Sequence, residues 1–201
     1  MRVLECGDSA VLVEVDGLDE VMALHAELAA HPLAGVEEVV PAARTVLLRL
    51  APGHDSAAVA AAVRTLRPRP ARSAPDEQVE IPVRYDGADL PDVAAATGLS
   101  EDEVVAAHSA ATWTVAFCGF APGFGYLVGD DPRLHVPRRA EARTRVPAGS
   151  VALAGGFTGI YPHPSPGGWQ LLGRTDTVVW DLDRDPPGLL RPGVRVRFVP
   201  V

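Results

Sequence analysis

FCGFAPGFGYLVGDDPRLHVPRRAEARTRVPAGSVALAGGFTGIYPHPSPGGWQLLGRT, residues 117–175, concentrates glycine, proline, arginine and aromatic side chains. Nine of the chain's eleven aromatic residues lie between Trp113 and Trp180, and none precedes Tyr85. Glycine lets backbone approach a neighbour closely, proline fixes the path between, and arginine offers a planar fork to carboxylate or phosphate. Such a stretch reads as the corners of a tightly turned β-barrel, with rigid contact surface confined to the second half of the chain.

Short apolar runs at Thr114–Phe117, Ser150–Leu153, Gln170–Leu172, Val178–Trp180 and Val194–Val199 alternate with Gly/Pro corners, a spacing that predicts a compact all-β barrel or sandwich. Ahead of it, Val79–Tyr85 reads as a strand that Pro82 places at an edge. Asp89–Thr97 reads as a helix closed by Gly98, and Ser100 with Glu103 forms a capping box for a second helix carrying Val104, Val105 and His108. Arg67–Asp76, with prolines at 68, 70 and 75, reads as a linker.

Before the linker the order is different. A hairpin-like pair flanks Gly7-Asp8-Ser9, a helix runs from Asp19 as N-cap to Ala30, strands cover Val36–Val40 and Thr45–Leu50, and a helix covers Ser56–Leu66. This order suits a small ferredoxin-like α+β domain with an aliphatic core. The expected organisation is therefore an α+β domain over 1–70, a Pro/Arg linker over 71–77, and a β-barrel with one or two short helices over 78–201.

The two helices around Gly98 are spaced like a helix-turn-helix, but the second opens with Glu101, Asp102 and Glu103, which phosphates would repel, and it carries no arginine to reach a base edge. A net charge of −8 and a pI near 5.2 likewise argue against nucleic acid or an anionic membrane as the main partner. No stretch approaches the ~20 apolar residues of a membrane span, and the N-terminus lacks the apolar core of a signal peptide. Cys6 and Cys118 stand far apart, so neither a disulfide framework nor a CxxC site is supported, and a reducing cytoplasm is the simplest location. All 18 basic residues are arginine. The absence of lysine removes a Walker A phosphate loop, a Schiff-base lysine and any covalent biotin or lipoyl group on this chain. The six histidines form no metal-ligand pair, so no metal is assigned.

Three constellations bear on chemistry. Arg133, Arg138, Arg139, Arg143 and Arg145 fall within thirteen residues, bracketed by Pro132, Pro137 and Pro147, and lead into Gly149-Ser150. They read either as a solvated basic loop or as a site for a carboxylate or other anion. Ser165-Pro166-Gly167-Gly168-Trp169 reads as a nest of backbone N–H groups beside an aromatic wall, or as a wide turn packed on Trp169. Thr158-Gly159-Ile160-Tyr161-Pro162-His163 sets a hydroxyl, a phenol and an imidazole close together. The candidate substrate- or anion-binding set is Arg138, Arg143, Arg145, Ser150, Thr158, Tyr161, Ser165, Gly167, Gly168, Trp169, Arg174 and Thr175. No residue stands out as catalytic: there is no Gly-x-Ser-x-Gly elbow, and His108 and Cys118 read as buried structural residues.

The segments GDSAVLVE (7–14), IPVRYDGADL (81–90), GLSEDEVVAAH (98–108), GFAPGFGYL (119–127), PRRAEARTRVPAGSVALAGG (137–156) and TGIYPHPSPGGWQLLGRT (158–175) resemble, nearly end to end, the family that takes in allophanate hydrolase subunit 1, the B subunit of 5-oxoprolinase (PxpB) and KipI. The resemblance implies a cyclophilin-like barrel of the carboxyltransferase subdomain C/D type. It further implies a related partner, which is allophanate hydrolase subunit 2 or the C subunit of 5-oxoprolinase, together with the A subunit of that enzyme, and ATP shared with those partners. Phe157 stands where members often carry glutamine, and Ala142 where they often carry proline, which bears on specificity. The activity implied first is ATP-dependent opening of 5-oxoproline to glutamate by the assembled subunits, with this chain inactive alone. The alternatives are a KipI-like inhibitor of a histidine kinase and half of a biotin-dependent (urea) carboxyltransferase.

Overall fold

The first thirty residues already set the architecture of the N-terminal unit: a two-stranded antiparallel hairpin, β1 (Arg2–Glu5) with β2 (Ala10–Glu14), followed by α1 (Leu18–Ala30). β3 (Val36–Pro41), β4 (Thr45–Leu50) and α2 (Ser56–Thr65) complete it. The computed structural model describes residues 1–68 and 77–201, so the expected linker, Arg67–Asp76, falls almost wholly outside the described residues. The chain divides into two compact units, Met1–Ser73 and Ala74–Val201.

In the first unit the four strands form one antiparallel sheet in the order β1-β2-β4-β3. Alternate residues of the central strands, Val11 and Val13 on β2 and Val46 and Leu48 on β4, point into one cluster with Val21, Leu24 and Leu28 of α1 and Val59 and Val63 of α2. Both helices therefore cover the same sheet face, as the period of two in the strands requires. Each such fully buried aliphatic side chain contributes about 1.5–3 kcal/mol. Asp19, expected as the N-cap of α1, instead lies in its first turn with Glu20. The cap position is Gly17, with no side-chain cap bond, and the two carboxylates face the positive end of the helix dipole.

The second unit opens on β5 (Gln78–Val83), then α3 (Leu90–Thr97) and α4 (Glu101–Ala110). The capping box of α4 is present: Ser100 Oγ accepts from the Glu103 backbone N–H, and the Glu103 carboxylate accepts from Ser100 N–H. There follow β6 (Trp113–Cys118), β7 (Gly125–Val128), a 3-10 turn at Pro132–Leu134, β8 (Arg143–Val146), β9 (Ser150–Ala154), β10 (Phe157–Ile160), β11 (Ser165–Gly167), β12 (Gln170–Arg174) and β13 (Arg195–Pro200).

Seven strands form one sheet in the order β12-β9-β10-β7-β6-β13-β5, antiparallel except for β13 beside β5. Its two ends meet just past β5, where Arg84 and Arg174 exchange N–H to O bonds of 2.9 Å in both directions. The result is a nearly closed barrel with few helices. The closing seam needs glycine at 173, because a Cβ there would run into the Arg84 carbonyl oxygen. β9 is buried along its whole length: Val151 and Leu153 face the barrel interior, while Ala152 and Ala154 face a second, aromatic cluster around Phe124, Tyr161 and Trp169.

The segment Val178–Trp180, expected as a strand, makes only the isolated bridge Trp180 to Gly188. Of the segment Ser165–Trp169, expected either as an N–H nest or as a wide turn packed on Trp169, Ser165–Gly167 is strand β11, paired with β8 through Ser165–Val146 and Gly167–Arg143. None of its residues has the positive φ that a nest alternates.

Candidate functional site

The aromatic cluster opens at the surface as a small cleft of about 90 Å³, lined by Phe120, Phe124, Tyr126, Arg138, Tyr161 and the run Pro166–Trp169. Five segments build it, and the loop between the 3-10 turn and β8 supplies Arg138. The turn between β6 and β7 supplies Phe120 and Phe124, and β7 supplies Tyr126. The chain after β10 supplies Tyr161, and β11 and its exit into β12 supply Pro166, Gly167, Gly168 and Trp169. Phe124 is the hub. Its ring meets Phe120, Tyr126, Tyr161 and Trp169 edge-on, with centroids 5.3, 5.1, 5.3 and 5.3 Å away. Edge-to-face contact favours this arrangement over stacking and locks the rings against one another.

Tyr161 fixes the floor. Its hydroxyl lies against Gly167, where a Cβ would collide with it. Burial pushes the Tyr161 phenol above its ordinary value, and the Trp169 N–H and the charge of Arg138 only partly offset this. Burial likewise raises Tyr126, again against Arg138. Both phenols therefore stay protonated at neutral pH and keep a proton to donate.

The arginines divide by what they hold. Arg133 pairs with Asp131. Arg139 and Arg143 both turn to Asp89, which is 1% exposed and also accepts from the Leu171 backbone N–H at 2.8 Å. Burial pushes the Asp89 carboxyl up, but the Arg143 and Leu171 hydrogen bonds and the charges of both arginines outweigh it and hold the group below its usual range. Arg174 pairs with Asp86. Among the described residues, Arg138 and Arg145 make no ion pair, and of these only Arg138 lines the cleft.

Five of the twelve candidates thus come together: Arg138, Tyr161, Gly167, Gly168 and Trp169. Arg143 is occupied by Asp89, and Arg145 is exposed on β8 away from the cleft lining. Ser150 and Ser165 are buried strand residues. Arg174 and Thr175 line a separate hollow of about 400 Å³ at the barrel seam, beside Pro82 and Arg84. Thr158 is fully buried and closes a chain of hydrogen bonds: Tyr85 Oη to His108 Nδ1 at 2.7 Å, His108 Nε2 to Thr158 Oγ1 at 2.9 Å, and Thr158 Oγ1 to Ala152 O at 3.1 Å. Because the Thr158 hydroxyl donates to Ala152 O, it accepts from His108 Nε2–H, and Nδ1 accepts from Tyr85. His108 is fully enclosed, and burial pushes it down to about 3.

Phe120, Phe124, Tyr126 and Asp89 were not among the candidates. The aromatics stand in the GFAPGFGYL run, whose glycines and proline read as corners, and Asp89 reads as a helix start. Phe157 packs edge-on against Phe117 and Tyr126, with centroids 5.7 and 5.6 Å away, so it backs a cleft wall without lining the cleft.

Residues 1–190 match the family described as carboxyltransferase domain, subdomain C and D. The B subunit of 5-oxoprolinase from Escherichia coli O157:H7 is 56% identical over 125 residues, 61% of this chain and 57% of that protein. The protein of the same name from Bacillus subtilis (strain 168) is 35% identical over 98% of this chain and 92% of its own length. The crystal structure of the K. lactis urea amidolyase shares the fold, with a TM-score of 0.77 over 99% of this chain at 22% identity. The chain spans little more than half of the E. coli relative and 15% of the urea amidolyase.

Proposed function

The chain belongs to the carboxyltransferase domain, subdomain C and D family, and on that premise we propose that it is one component of a multi-subunit 5-oxoprolinase, a hydrolase that opens 5-oxoproline to glutamate. The observation that carries the substrate reading is the pairing of an arginine with no acid partner among the described residues with a cleft walled by aromatic rings. 5-Oxoproline is a flat five-membered lactam bearing one carboxylate. Arg138 takes the carboxylate, the rings of Phe124 and Trp169 take the apolar methylene edge, and the Tyr126 and Tyr161 hydroxyls stand as donors for the lactam oxygen.

Ring opening needs water to attack the lactam carbonyl and a proton for the leaving nitrogen. The cleft binds and orients but brings no base, since both phenols are held protonated and His108 lies in the barrel interior. The attack is therefore assigned to groups contributed by partner subunits, a related carboxyltransferase-like protein first among them, and this chain is inactive alone. A cleft of about 90 Å³ does not fit a nucleotide, so ATP is placed outside this cleft, at a site shared with the partners. We read the location as cytoplasmic and the barrel as cyclophilin-like. The N-terminal unit reads as a ferredoxin-like sheet whose β1 takes the edge place that a last strand would fill.

The test is 5-oxoproline turnover by this chain alone and with its partners added. Turnover only in the mixture supports the reading, and turnover by the single chain contradicts it.

A further inference from the structure

Phe120 is the only non-glycine residue among those described with a positive φ, 69°. A phenyl-bearing residue strains in that region, and glycine would sit there freely. The strain is imposed by a tight turn: Ala121 N–H reaches Gly119 O at 2.8 Å, Gly119 N–H reaches Phe124 O at 3.2 Å, and Phe124 N–H reaches Ala121 O at 3.0 Å. The packing return is small. The residue is 61% exposed, and its ring pairs edge-to-face with Phe124 and Tyr161, at centroid distances of 5.3 and 6.3 Å. A strained backbone that holds a large apolar ring in water is unfavourable twice over, and strain of this kind collects at ligand clamps. The ring lies on the rim of the cleft that Arg138 also lines.

We infer that Phe120 closes over the ring of the bound lactam and is a specificity-determining residue that separates substrate from product, an inference that rests on reading the cleft as the lactam site. Both 5-oxoproline and glutamate offer a carboxylate to Arg138. Only the lactam offers a flat uncharged face to a phenyl ring. Glutamate brings an ammonium and a second carboxylate, and covering these with a phenyl ring strips their water without supplying a partner. The clamp therefore favours the closed ring and releases the opened one.

The experiment is calorimetric titration of the assembled complex with 5-oxoproline and, separately, with glutamate. Phe120→Ala is expected to weaken 5-oxoproline binding about tenfold and leave glutamate binding unchanged, while Phe120→Tyr restores the wild-type preference. Phe120→Gly is expected to weaken lactam binding without lowering the Tm of the chain, because glycine relieves the left-handed backbone. If Phe120→Ala binds both ligands as wild type does while Arg138→Ala loses 5-oxoproline, the clamp is wrong and the cleft reading stands. If Arg138→Ala also binds normally, the cleft reading fails and the clamp with it. Release of the partner proteins from Phe120→Ala on size exclusion would make Phe120 an assembly contact and overturn the inference.

Discussion

The Asp89 carboxylate receives both terminal nitrogens of Arg143, at 2.8 and 2.7 Å, across 54 residues of sequence. The pair ties the start of α3 to β8, and the Leu171 N–H on the same carboxylate ties both to β12. Asp89 therefore acts as a structural anchor for the strands that carry the cleft.

Asp89→Ala leaves the part-buried Arg143 guanidinium without its carboxylate and Arg139 with only Asp92, at 3.8 Å, so it is expected to cost about 3–5 kcal/mol of stability in urea denaturation. Arg143→Ala shifts the midpoint the same way. Arg145→Ala, exposed on β8, is expected to stay within about 0.5 kcal/mol of wild type. Because the folded Asp89 carboxyl is held low, its contribution is present above the ordinary aspartate value of about 3.9 and is lost as pH falls through the lower folded value.

His108 gives stability a second, separable pH dependence. An imidazole pushed down to about 3 in the fold, against about 6.5 when unfolded, takes up its proton only on unfolding between those values. Stability from this group is thus full above about pH 6.5 and declines toward about pH 3, by at most about 1.4 kcal/mol per unit. Burial lowers His25 as well, and it adds to the same slope. The stability difference between wild type and His108→Gln cancels His25, and it is expected to shrink as pH is lowered from 7 to 4. A constant difference would place the proton elsewhere.

Cys118 is expected to resist alkylation in the folded chain. Burial pushes its thiol up to about 11, and Sγ–H donates to Leu190 O at 3.2 Å. Cys6 is exposed. Iodoacetamide near pH 7.5 should label one thiol per folded chain and two in denaturant, which mass spectrometry reads directly.

The order β-β-α-β-β-α of the first unit was legible because its strands and helices carry unbroken apolar periods. In the barrel, Ser150–Leu153 and Gln170–Leu172 were legible for the same reason. β8, with the sequence Arg-Thr-Arg-Val, and β11, with Ser-Pro-Gly, were not, because no apolar run marks them and each is held as a strand by pairing with the other. Val178–Trp180 has the composition of a strand but no neighbour to pair with along its length. Within the site, Tyr161 and the Gly167-Gly168-Trp169 run stood out by composition. Nothing local distinguishes Arg138 from Arg143. The difference is made by Asp89, which lies about fifty residues upstream, and only the folded barrel brings it to one of them. Phe120 was hidden for a related reason, since its left-handed backbone is imposed by the turn and leaves no mark in the sequence.

The central claim is that Arg138 in the aromatic cleft holds the carboxylate of the lactam. The most direct measurement is 5-oxoproline binding by the assembled complex, comparing wild type with Arg138→Ala, Arg138→Lys and Arg145→Ala. Loss of a charge-assisted contact worth about 1.5–3 kcal/mol lowers affinity on the order of ten- to a hundredfold. Arg138→Ala is expected to show that loss, Arg138→Lys to recover only part of it because lysine offers a point charge and not a fork, and Arg145→Ala to bind as wild type does. Wild-type affinity in Arg138→Ala would contradict the account.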